Sequence, residues 1–321
     1  MNMEFIVKAD DKIYEISELV KSVSYEDKLN DGCSKLDFSY VDNDLKLRNG
    51  SVVCFKYNDA DIFYGYVFKH SRNKNGEITV TAYDQLRYAK AKDTVAIDGD
   101  TVSSLVRKMC NYFKLRQGIL DDSGYVLATG YYDDKTWLDI IYSAIDETLT
   151  NKGEWYVLRD EFGSVALRNI ENLKLDLVLG DKSLAYDFEY EKSIDDDFYN
   201  VIKIQAEIKK EGDSGSNEKT ESIPIVKGDE DSVAKYGFLQ YFEKVQVENE
   251  AQANSKAEML LKLYNHEVET LSLNCLGDTS VRAGTSFYAS IGDIGVNKRL
   301  IVRSVTHDFM PVHTMSLEVA I

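Results

Sequence analysis

The sequence is poor in proline and cysteine, and each shortage excludes a class of structure. Only 2 of the 321 residues are Pro, so no Pro-rich linker is present, and domains are expected to be joined closely. The four cysteines are widely scattered and form no C-x-x-C pair. We therefore expect a reduced, intracellular protein whose thiols act as small hydrophobic side chains, namely Cys33, Cys54, Cys110 and Cys275.

Positive charge is also scarce. The chain has 38 Lys and Arg against 55 Asp and Glu, a formal net charge of −17. Nucleic-acid binding is driven by cations that neutralise phosphates, so no specific nucleic-acid binding is expected. The same charge disfavours an anionic membrane surface. It suits a wall past which DNA or protein slides, and equally a merely soluble acidic protein.

Long apolar runs are missing as well. The N-terminus, Met1 to Phe5, has neither a basic segment nor a hydrophobic stretch, so no signal peptide is expected. No run approaches the roughly 20 apolar residues of a membrane span. The chain is therefore expected not to insert into a membrane.

The chain contains enough apolar residues to form packed cores. At 321 residues it exceeds what one core usually serves, so two or more domains are expected. Hydrophobic residues make up 44%, and the 21 Tyr indicate β surfaces that are half exposed to water.

Residues 1–92 are expected to form a small antiparallel β-barrel-like domain. Asn30-Asp31-Gly32, Asn58-Asp59 and Asn75-Gly76 are hairpin turns. They separate short strands expected at Glu4–Val7, Lys12–Tyr14, Val20–Lys28, Ser34–Val41, Ser51–Tyr57, Ile62–Lys69 and Glu77–Tyr83. A short helix is expected from Tyr83 or Asp84, with Leu86, Ala89 and Tyr88 facing inward.

Residues 93–172 change period and predict an α+β module. Asp100 is expected to cap one helix and Asp134 a second. The inward face of the first is expected to carry Val102, Leu105, Val106, Met109, Tyr112 and Phe113, and that of the second Trp137, Ile140, Ile141, Ala144 and Ile145. A hairpin of Glu154–Arg159 and Ser164–Asn169 follows.

Residues 173–321 predict a second β-barrel-like domain with an inserted helix at about 249–266. Asn249 is expected to cap this helix, in a capping box with Gln252. The predicted strands precede and follow it: Tyr186–Glu191, Asn200–Glu207, Val268–Asn274 and the C-terminal sheet. Asp195–Asp197 and Asp229–Asp231 are expected to be solvated turns, and Lys209–Thr220 a polar hairpin tip. The fold class is thus α+β, mostly β.

The last fifty residues alternate with period two. Ile301, Arg303 and Val305 alternate with Val302, Ser304 and Thr306, which predicts a long strand from Arg299 to Phe309. A return strand follows a turn centred on Met310, which places His307 opposite His313. Asp308 is expected to point to the other face. The two histidines are expected to be a structural or interface pair, with a metal site as the less favoured alternative.

A weak internal repeat links the two β regions. Arg48-Asn49-Gly50-Ser51 precedes an apolar strand, a turn and two further strands. Arg282-Ala283-Gly284-Thr285 precedes a similar series near the C-terminus. The repeat predicts two similar β modules in one chain.

Three segments resemble catalytic or nucleotide-binding motifs, but each lacks a residue that its motif requires. His266-Glu267-Val268-Glu269-Thr270 has Thr where a zinc protease needs its second His. Gly212–Ser216 departs from G-x-S-x-G at its fifth position, and Gly180–Ser183 lacks the upstream glycine of a phosphate loop. We predict no catalytic residue, no metal site, no cofactor and no enzymatic activity.

The C-terminal segments Val305–Phe309 and His313–Leu317, with the Arg-x-Gly-Ser/Thr turn, resemble the end of the XkdQ/YqbQ family. These are baseplate hub proteins of contractile phage tails and phage-tail-like bacteriocins, similar in fold to late-control protein D and the N-terminal part of VgrG. The resemblance implies a virion structural protein of a contractile injection system. It would be made in the bacterial cytoplasm and built into a phage tail or released tail-like particle.

The resemblance further implies a homotrimer that receives the tail tube protein, the spike protein and other baseplate proteins. As a symmetry adaptor, such a trimer joins a six-fold tube to a three-fold spike. The expected assembly-interface residues are Arg48, Gly50, Arg282, Gly284, His307 and His313. Two alternatives stay open from the residues alone: a cell-wall (peptidoglycan) hydrolase and a wall-binding module.

Overall fold

The computed structural model describes residues 2–9, 12–41, 45, 47–195, 197–210, 219–247 and 249–320. Three sequence predictions fall wholly or partly outside these residues: Asp196 of the acidic turn, most of the tip at Lys209–Thr220, and the Gly212–Ser216 segment within that tip. The chain divides into two compact units. We call Met1–Glu189 with Leu271–Ile321 the large unit, and Tyr190–Thr270 the inserted unit.

The N-terminal β region follows the predicted strands closely. Its seven strands are β1 (Met3–Ala9), β2 (Lys12–Glu15), β3 (Val20–Lys28), β4 (Lys35–Val41), β5 (Val52–Tyr57), β6 (Ala60–Arg72) and β7 (Glu77–Tyr83). A 3-10 helix, Gln85–Lys90, begins after Asp84 and buries Leu86 and Ala89 as predicted. Tyr88 was expected inside but is 41% exposed, because its ring packs on Tyr66 at the surface.

The middle of the chain is the predicted α+β region. Its elements are β8 (Lys92–Ile97), α1 (Val102–Phe113), β9 (Gln117–Leu120), β10 (Gly130–Thr136), α2 (Trp137–Lys152), β11 (Tyr156–Asp160) and β12 (Val165–Asn169). The hairpin β11–β12 was predicted, whereas β8, β9 and β10 were not. The inward faces of both helices pack together in one core, with Tyr112 as the exception at 63% exposure.

The caps predicted for α1 and α2 were wrong by one and two residues. Thr101 caps α1 and Thr136 caps α2, each in a capping box with the residue three positions on. Asp100 instead accepts hydrogen bonds from Ser104 Oγ and Lys108 Nζ, each at 2.7 Å. A threonine hydroxyl and an aspartate are both good caps, so composition alone did not separate the neighbours.

The C-terminal β region is interrupted by the inserted unit. After a second 3-10 helix, Ile170–Leu173, come β13 (Lys174–Gly180) and β14 (Ala185–Ser193). The inserted elements are β15 (Val201–Lys210), β16 (Lys219–Gly228), α3 (Glu230–Tyr236), β17 (Gln240–Val247) and α4 (Glu250–Tyr264). The last strands are β18 (Val268–Leu276), β19 (Ser286–Ile291), β20 (Val296–Asp308) and β21 (Thr314–Ala320). β14 and β18 run across the boundary between the units.

The inserted unit is a three-stranded sheet covered by a helix. Its strands lie in the order β16-β15-β17, and α4 buries Ala253, Ala257 and Leu260 against β15. Asn249 caps α4 as predicted, accepting a hydrogen bond from Gln252 N. The solvated turn expected at Asp229–Asp231 was wrong, because Asp229 caps the helix α3.

The large unit is organised around one 13-stranded sheet. Its main path is β14-β18-β21-β20-β3-β4-β7-β6-β5-β1-β2, and β19 joins β13 to β20. The α+β, mostly β class is confirmed. β20 pairs with β3 and so joins the two β regions edge to edge. Among the described strands the sheet is not closed into a barrel. The division into three domains at residues 92 and 172 stays a prediction.

The two β regions have the same strand order. Taking β1 and β3–β7 as the first copy, the sheet runs β3-β4-β7-β6-β5-β1. Taking β13, β14 and β18–β21 as the second copy, it runs β14-β18-β21-β20-β19-β13. In both, the strands follow the sequence positions 2-3-6-5-4-1. One difference is that β1 is antiparallel to β5, whereas β13 is parallel to β19.

Helices do not supply a membrane anchor in the part of the chain that the structure describes: none there combines the length and apolar character needed for a span.

Candidate assembly site

The turn before β5 is fixed by a small set of hydrogen bonds. Gly50 N–H donates to the Val67 carbonyl at 2.7 Å, and Ser51 N–H donates to the Arg48 carbonyl at 3.0 Å. Arg48 N–H donates back to Ser51 Oγ at 3.1 Å. Gly50 has a φ of 87°, which a residue with a side chain rarely adopts. The hydroxyl and the glycine are therefore both required by the geometry of this turn.

The turn before β19 repeats these bonds one for one. Gly284 N–H donates to the Val302 carbonyl at 2.9 Å, and Thr285 N–H donates to the Arg282 carbonyl at 3.0 Å. Arg282 N–H donates to Thr285 Oγ1 at 3.2 Å, and the φ of Gly284 is 82°. The repeat predicted from four residues is thus a repeat of backbone structure.

A β-bulge occurs at the same place in both copies. The pairing of β6 with β7 shifts register between Val67 and Lys69, and that of β20 with β21 shifts between Val302 and Ser304. Both bulges directly follow the residue that accepts the hydrogen bond of the turn glycine. Since a bulge twists its strand and re-aims the following residues, the far ends of β6 and β20 are directed in the same manner.

The two turns lie in different surroundings. Arg48 and Gly50 are exposed, and a Cβ built on Gly50 would have no heavy atom within 4 Å. Gly284 is buried, and its Cβ would lie 2.9 Å from Val157 Cγ1. One turn therefore faces solvent in the single chain, while the other is enclosed by it.

Arg282 connects the second copy to the first. Its Nε donates to Asp27 Oδ2 at 2.9 Å, and its Nη1 donates to the Asp160 carbonyl at 2.9 Å. Its guanidinium also lies 5.8 Å from the centre of the Tyr25 ring. Asp27 and Tyr25 belong to β3, so the turn of one copy binds a strand of the other.

The charges of this contact are buried together. Burial acts to lower the pKa of Arg282, but the nearby Asp27 carboxylate outweighs it and raises the pKa, so the guanidinium stays charged. Burial raises the pKa of Tyr25 well above its usual range, so its hydroxyl stays neutral. A buried pair of this kind is costly to break from one side, because the remaining charge loses its partner.

Two further buried acids, Asp84 and Asp160, influence each other, and Asp160 lies next to Arg282. Burial and the neighbouring Asp160 carboxylate raise the pKa of Asp84 to about 7. Burial likewise raises the pKa of Asp160 to about 6, although hydrogen bonds from Gly163 and Gln85 oppose it. Ser34, the residue before β4, donates to Asp84 from both its backbone N and its Oγ, and Asp84 caps the 3-10 helix. Both acids are thus held by hydrogen bonds within the chain.

His307 and His313 form a direct hydrogen bond. His307 Nδ1 lies 3.0 Å from His313 Nε2, and His307 Nε2 lies 2.8 Å from the Val281 carbonyl. A carbonyl only accepts, so His307 Nε2 carries the proton, and His307 Nδ1 accepts from His313 Nε2–H. Both ring nitrogens of His307 are thereby used, which gives the pair a structural role in the chain.

The strand register predicted for this pair was wrong. His307 pairs with Met315, and Asp308 pairs with Thr314, so the connection spans residues 309–313 and His313 lies before β21. The rings nevertheless meet, because His313 folds back over Phe309 with the ring centres 4.5 Å apart. Asp308 is exposed and points away from buried His307, as expected from the alternation.

The histidine pair should make the protein sensitive to acid. Burial lowers the pKa of His307, and burial with the nearby His307 lowers that of His313 to about 4. An unfolded histidine titrates near 6.5, so below that pH the unfolded chain binds more protons and stability falls. We expect wild type to lose about 2 kcal/mol more stability than His313→Gln between pH 7 and 4.5, measured by chemical denaturation.

The matched control is His70→Gln, which replaces an exposed histidine. Asp84 and Asp160 act with the opposite sign, since raised acid pKa values favour the folded state at low pH. Their effect is common to all three proteins and cancels in the comparison. Equal pH dependence of wild type and His313→Gln would show that the pair is not buried neutral.

Of the six residues expected at an assembly interface, the structure gathers four in one place. Arg282, Gly284, His307 and His313 lie around the joint between β3 and β20, within the chain. Arg48 and Gly50 lie at the exposed turn of the first copy. The assignment of all six to contacts between chains stays a prediction.

Sequence reasoning missed Asp27, Asp84 and Asp160. One signal for Asp27 was available, because the period of β3 places it on the same face as Val23 and Tyr25. An acid on a buried face requires a cationic or hydrogen-bonding partner. Nothing in the sequence indicated that this partner would be Arg282, 255 residues away. Within the described residues, no group of three His, Cys, Asp or Glu side chains is placed to hold a metal ion.

Comparison with known proteins agrees with this architecture. A family described as YQBQ-like matches residues 23–320. The chain is 27% identical over 278 residues to the uncharacterized protein YqbQ of Bacillus subtilis (strain 168), covering 85% of this chain and 82% of that protein. It is 26% identical over 278 residues to the phage-like element PBSX protein XkdQ of the same organism, with the same coverage.

Solved structures share the fold at low identity. The 43 kDa tail protein of prophage MuSo2 from Shewanella oneidensis has a TM-score of 0.72 at 12% identity, covering 99% of this chain and 98% of that one. The tail protein from Neisseria meningitidis MC58 has a TM-score of 0.69 at 14% identity, covering 99% and 96%. The family match over residues 23–320 bears out the resemblance carried by the C-terminal residues, and the chain belongs to the YQBQ-like family.

Proposed function

We propose that this protein is the structural hub of a phage tail baseplate or tail-like particle. Three chains would form a ring that presents six similar β copies to the tail tube and three-fold symmetry to the spike. The proposed role is structural and requires no catalytic group, metal ion or cofactor.

The observation that carries the proposal is the repeated strand order. Both copies run 2-3-6-5-4-1 through six strands, and both have the same glycine turn and the same bulge. Two surfaces built from the same strand order offer a partner two nearly equivalent binding sites. Three chains would then offer six, which matches a six-fold tube without requiring six chains.

The matches to known tail proteins support a role in a phage tail or a related particle. The matching structures from Shewanella oneidensis and Neisseria meningitidis are named tail proteins, and a further match is described as a component of the type VI secretion system with similarity to T4 tail proteins gp27 and gp5. The last has a TM-score of 0.52 over 94% of this chain. We therefore propose a tail tube protein, a spike protein and other baseplate proteins as partners.

The first test is the mass of the assembly. Sedimentation over a concentration series should approach three times the chain mass of 36.5 kDa, and electron microscopy should show a ring with six similar lobes. A single-chain mass at every concentration, with and without a tube protein, would contradict the ring. The inserted unit provides a control: deleting residues 194–265 between β14 and β18 should leave the ring intact if the β copies alone build it.

A further inference from the structure

The joint within the chain defines a rule for joining copies. β3, the second strand of the first copy, pairs antiparallel with β20, the fifth strand of the second copy, through residues 24–28 and 304–308. The second strand of the second copy is β14, and the fifth strand of the first copy is β6. These two strands have no such joint within the chain. In the part of the chain that the structure describes, β14 ends the sheet, with β18 as its strand neighbour, and β6 pairs with β5 and β7. β5 pairs with β6 only through residues 60–66, whereas β7 pairs with residues 66–72. Among the described strands, one side of β14 and the β5 side of β6 residues 68–72 are therefore not covered by a strand.

The correspondence between β3 and β14 is fixed by one hydrogen bond in each copy. Leu19 accepts from Val41 N at 3.4 Å in the first copy, and Leu184 accepts from Leu276 N at 2.9 Å in the second. Both strands begin at the next residue and are nine residues long. Glu26 of β3 therefore corresponds to Glu191 of β14.

The correspondence between β6 and β20 is fixed by the turn and the bulge. Both strands are 13 residues long, and Val67 corresponds to Val302 as the acceptor before the bulge. Thr306, which pairs with Glu26 in the chain, therefore corresponds to Ser71 of β6. The rule places Ser71 opposite Glu191 of another copy.

The backbone N–H and C=O groups of β6 that would bond to another strand face its uncovered side. In the joint, Phe309 N donates to the Val23 carbonyl at 3.0 Å, and Leu29 N donates to the Arg303 carbonyl at 2.7 Å. The corresponding residues of the first copy are Lys74 and Phe68. Asn73 N–H donates in the other direction, to Glu77 of β7. Since backbone groups alternate along a strand, even-numbered residues from 68 to 74 face the uncovered side.

The two uncovered strands carry opposite charge. The exposed end of β6 and its turn contain four basic or ionisable side chains in a chain whose net charge is −17: Lys69, His70, Arg72 and Lys74. β14 contains Asp187, Glu189 and Glu191, all exposed. Its one cation, Lys192, is paired with Glu269 at 2.7 Å. In the proposed register Lys69 shares a face with Asp187, Glu189 and Glu191, whereas His70, Arg72 and Lys74 lie on the other face. The net opposite charge therefore favours this partner, and Lys69 favours this register.

We propose that β6 of one chain pairs antiparallel with β14 of a second copy of this chain, with Ser71 opposite Glu191. This inference rests on the proposed ring and names the contact that closes it. The ring then contains six joints of one kind: three within chains, between β3 and β20, and three between chains, between β14 and β6. A head-to-tail contact of this kind closes into a ring only if its rotation fits, and otherwise forms a filament.

The same rule assigns Arg48 a role. Arg282 extends from the turn of the second copy to Tyr25 and Asp27 of β3. Arg48 occupies the matching position in the exposed turn of the first copy. Tyr190 of β14 matches Tyr25, whereas Lys192 matches Asp27, so the tyrosine ring and not an acid is the matching partner. Arg48 is thus expected to lie over β14 of the neighbouring chain.

Disulfide trapping tests the register. Ser71 points its backbone groups toward β7, so its pair with Glu191 is non-hydrogen-bonded, with Cα atoms about 4.5 Å apart, which suits a disulfide. Oxidation of Ser71→Cys/Glu191→Cys should give covalent dimers and trimers on a non-reducing gel. Ser71→Cys/Asp187→Cys shifts the partner by four residues, about 13 Å, and should give none. Each single-cysteine variant controls for the native thiols.

Charge exchange tests the chemistry. Lys69 lies diagonally across from Glu191 on the same face of the proposed joint. Lys69→Glu or Glu191→Lys alone should weaken assembly by about tenfold in dissociation constant, and the combined variant should return to within about threefold of wild type. Unchanged thermal unfolding of the single chain would show that each variant still folds.

The outcomes separate the contact from the ring. If wild type is a trimer, while the Ser71→Cys/Glu191→Cys variant forms no disulfide and charge reversal leaves assembly unchanged, this contact is overturned and the ring still stands. A ladder that continues beyond three chains would support the contact and overturn closure. A wild type that stays a single chain at every concentration, with and without a tube protein, would overturn both.

Discussion

Replacing Gly284 with alanine is expected to lower the free energy of unfolding by about 2–4 kcal/mol. Two costs add at this position. The φ of 82° is strained for any side chain, and the new Cβ would lie 2.9 Å from Val157 Cγ1 and 3.0 Å from Val157 Cβ. Neither the turn nor β11 can move away freely, because Arg282 ties the turn to Asp160 at the end of β11. Chemical denaturation of the purified chain measures the loss.

Gly50→Ala is the matched control, since it has the same turn and a φ of 87° with no atom within 4 Å of the added Cβ. It should cost about 1 kcal/mol, from backbone strain alone. Val157→Ala in the Gly284→Ala background should recover part of the difference, so that the two changes together cost less than their sum. Equal losses for Gly284→Ala and Gly50→Ala would mean that the enclosure of the second turn is not as described.

Arg282→Met is expected to destabilise the chain by about 3–5 kcal/mol. It leaves the Asp27 carboxylate buried without its cation, and it removes the hydrogen bond to the Asp160 carbonyl. Asp27→Asn in the same background should recover much of this loss, because the uncompensated charge is then gone. The double-mutant cycle, measured by denaturation at pH 7, isolates the pair from the packing of the arginine stem.

Arg48→Met is the control for Arg282→Met, since Arg48 holds the same position in an exposed turn. A surface charge contributes less than about 1 kcal/mol to the stability of a chain, so little change in unfolding is expected. Its effect should instead be seen in assembly. A stability loss for Arg48→Met as large as that for Arg282→Met would contradict the different surroundings of the two turns.

Much of the fold follows from short-range pattern. The strands β3 and β7 were predicted to the residue, and the inward faces of α1 and α2 were largely correct, because alternation and 3.6-residue periodicity follow burial directly. Elements whose side chains are mostly exposed were missed, such as β10 with its pattern of two half-buried residues in seven. α3 buries none of its residues and offers no periodic signal at all.

The residues of the candidate site were also only partly predicted from the sequence. The sequence identified the two Arg-x-Gly-Ser/Thr turns and the two histidines, since these residue types are tied to local geometry. It did not indicate that Asp27, Asp84 and Asp160 would gather near Arg282. Their association depends on contacts between residues up to 255 positions apart, and local pattern carries no information about such pairs.

By itself, the sequence determined the composition of the strands, the glycine turns and the presence of two similar β regions. These depend on backbone conformations and on periods of two or 3.6 residues, which are written into neighbouring residues. Only the tertiary structure decided that β20 pairs with β3, that the two regions share one open sheet, and that one turn is enclosed while its counterpart is exposed. The physical reason is that pairing two distant strand edges is selected by the packing of the whole unit, and every strand edge in the sequence offers the same hydrogen-bonding groups.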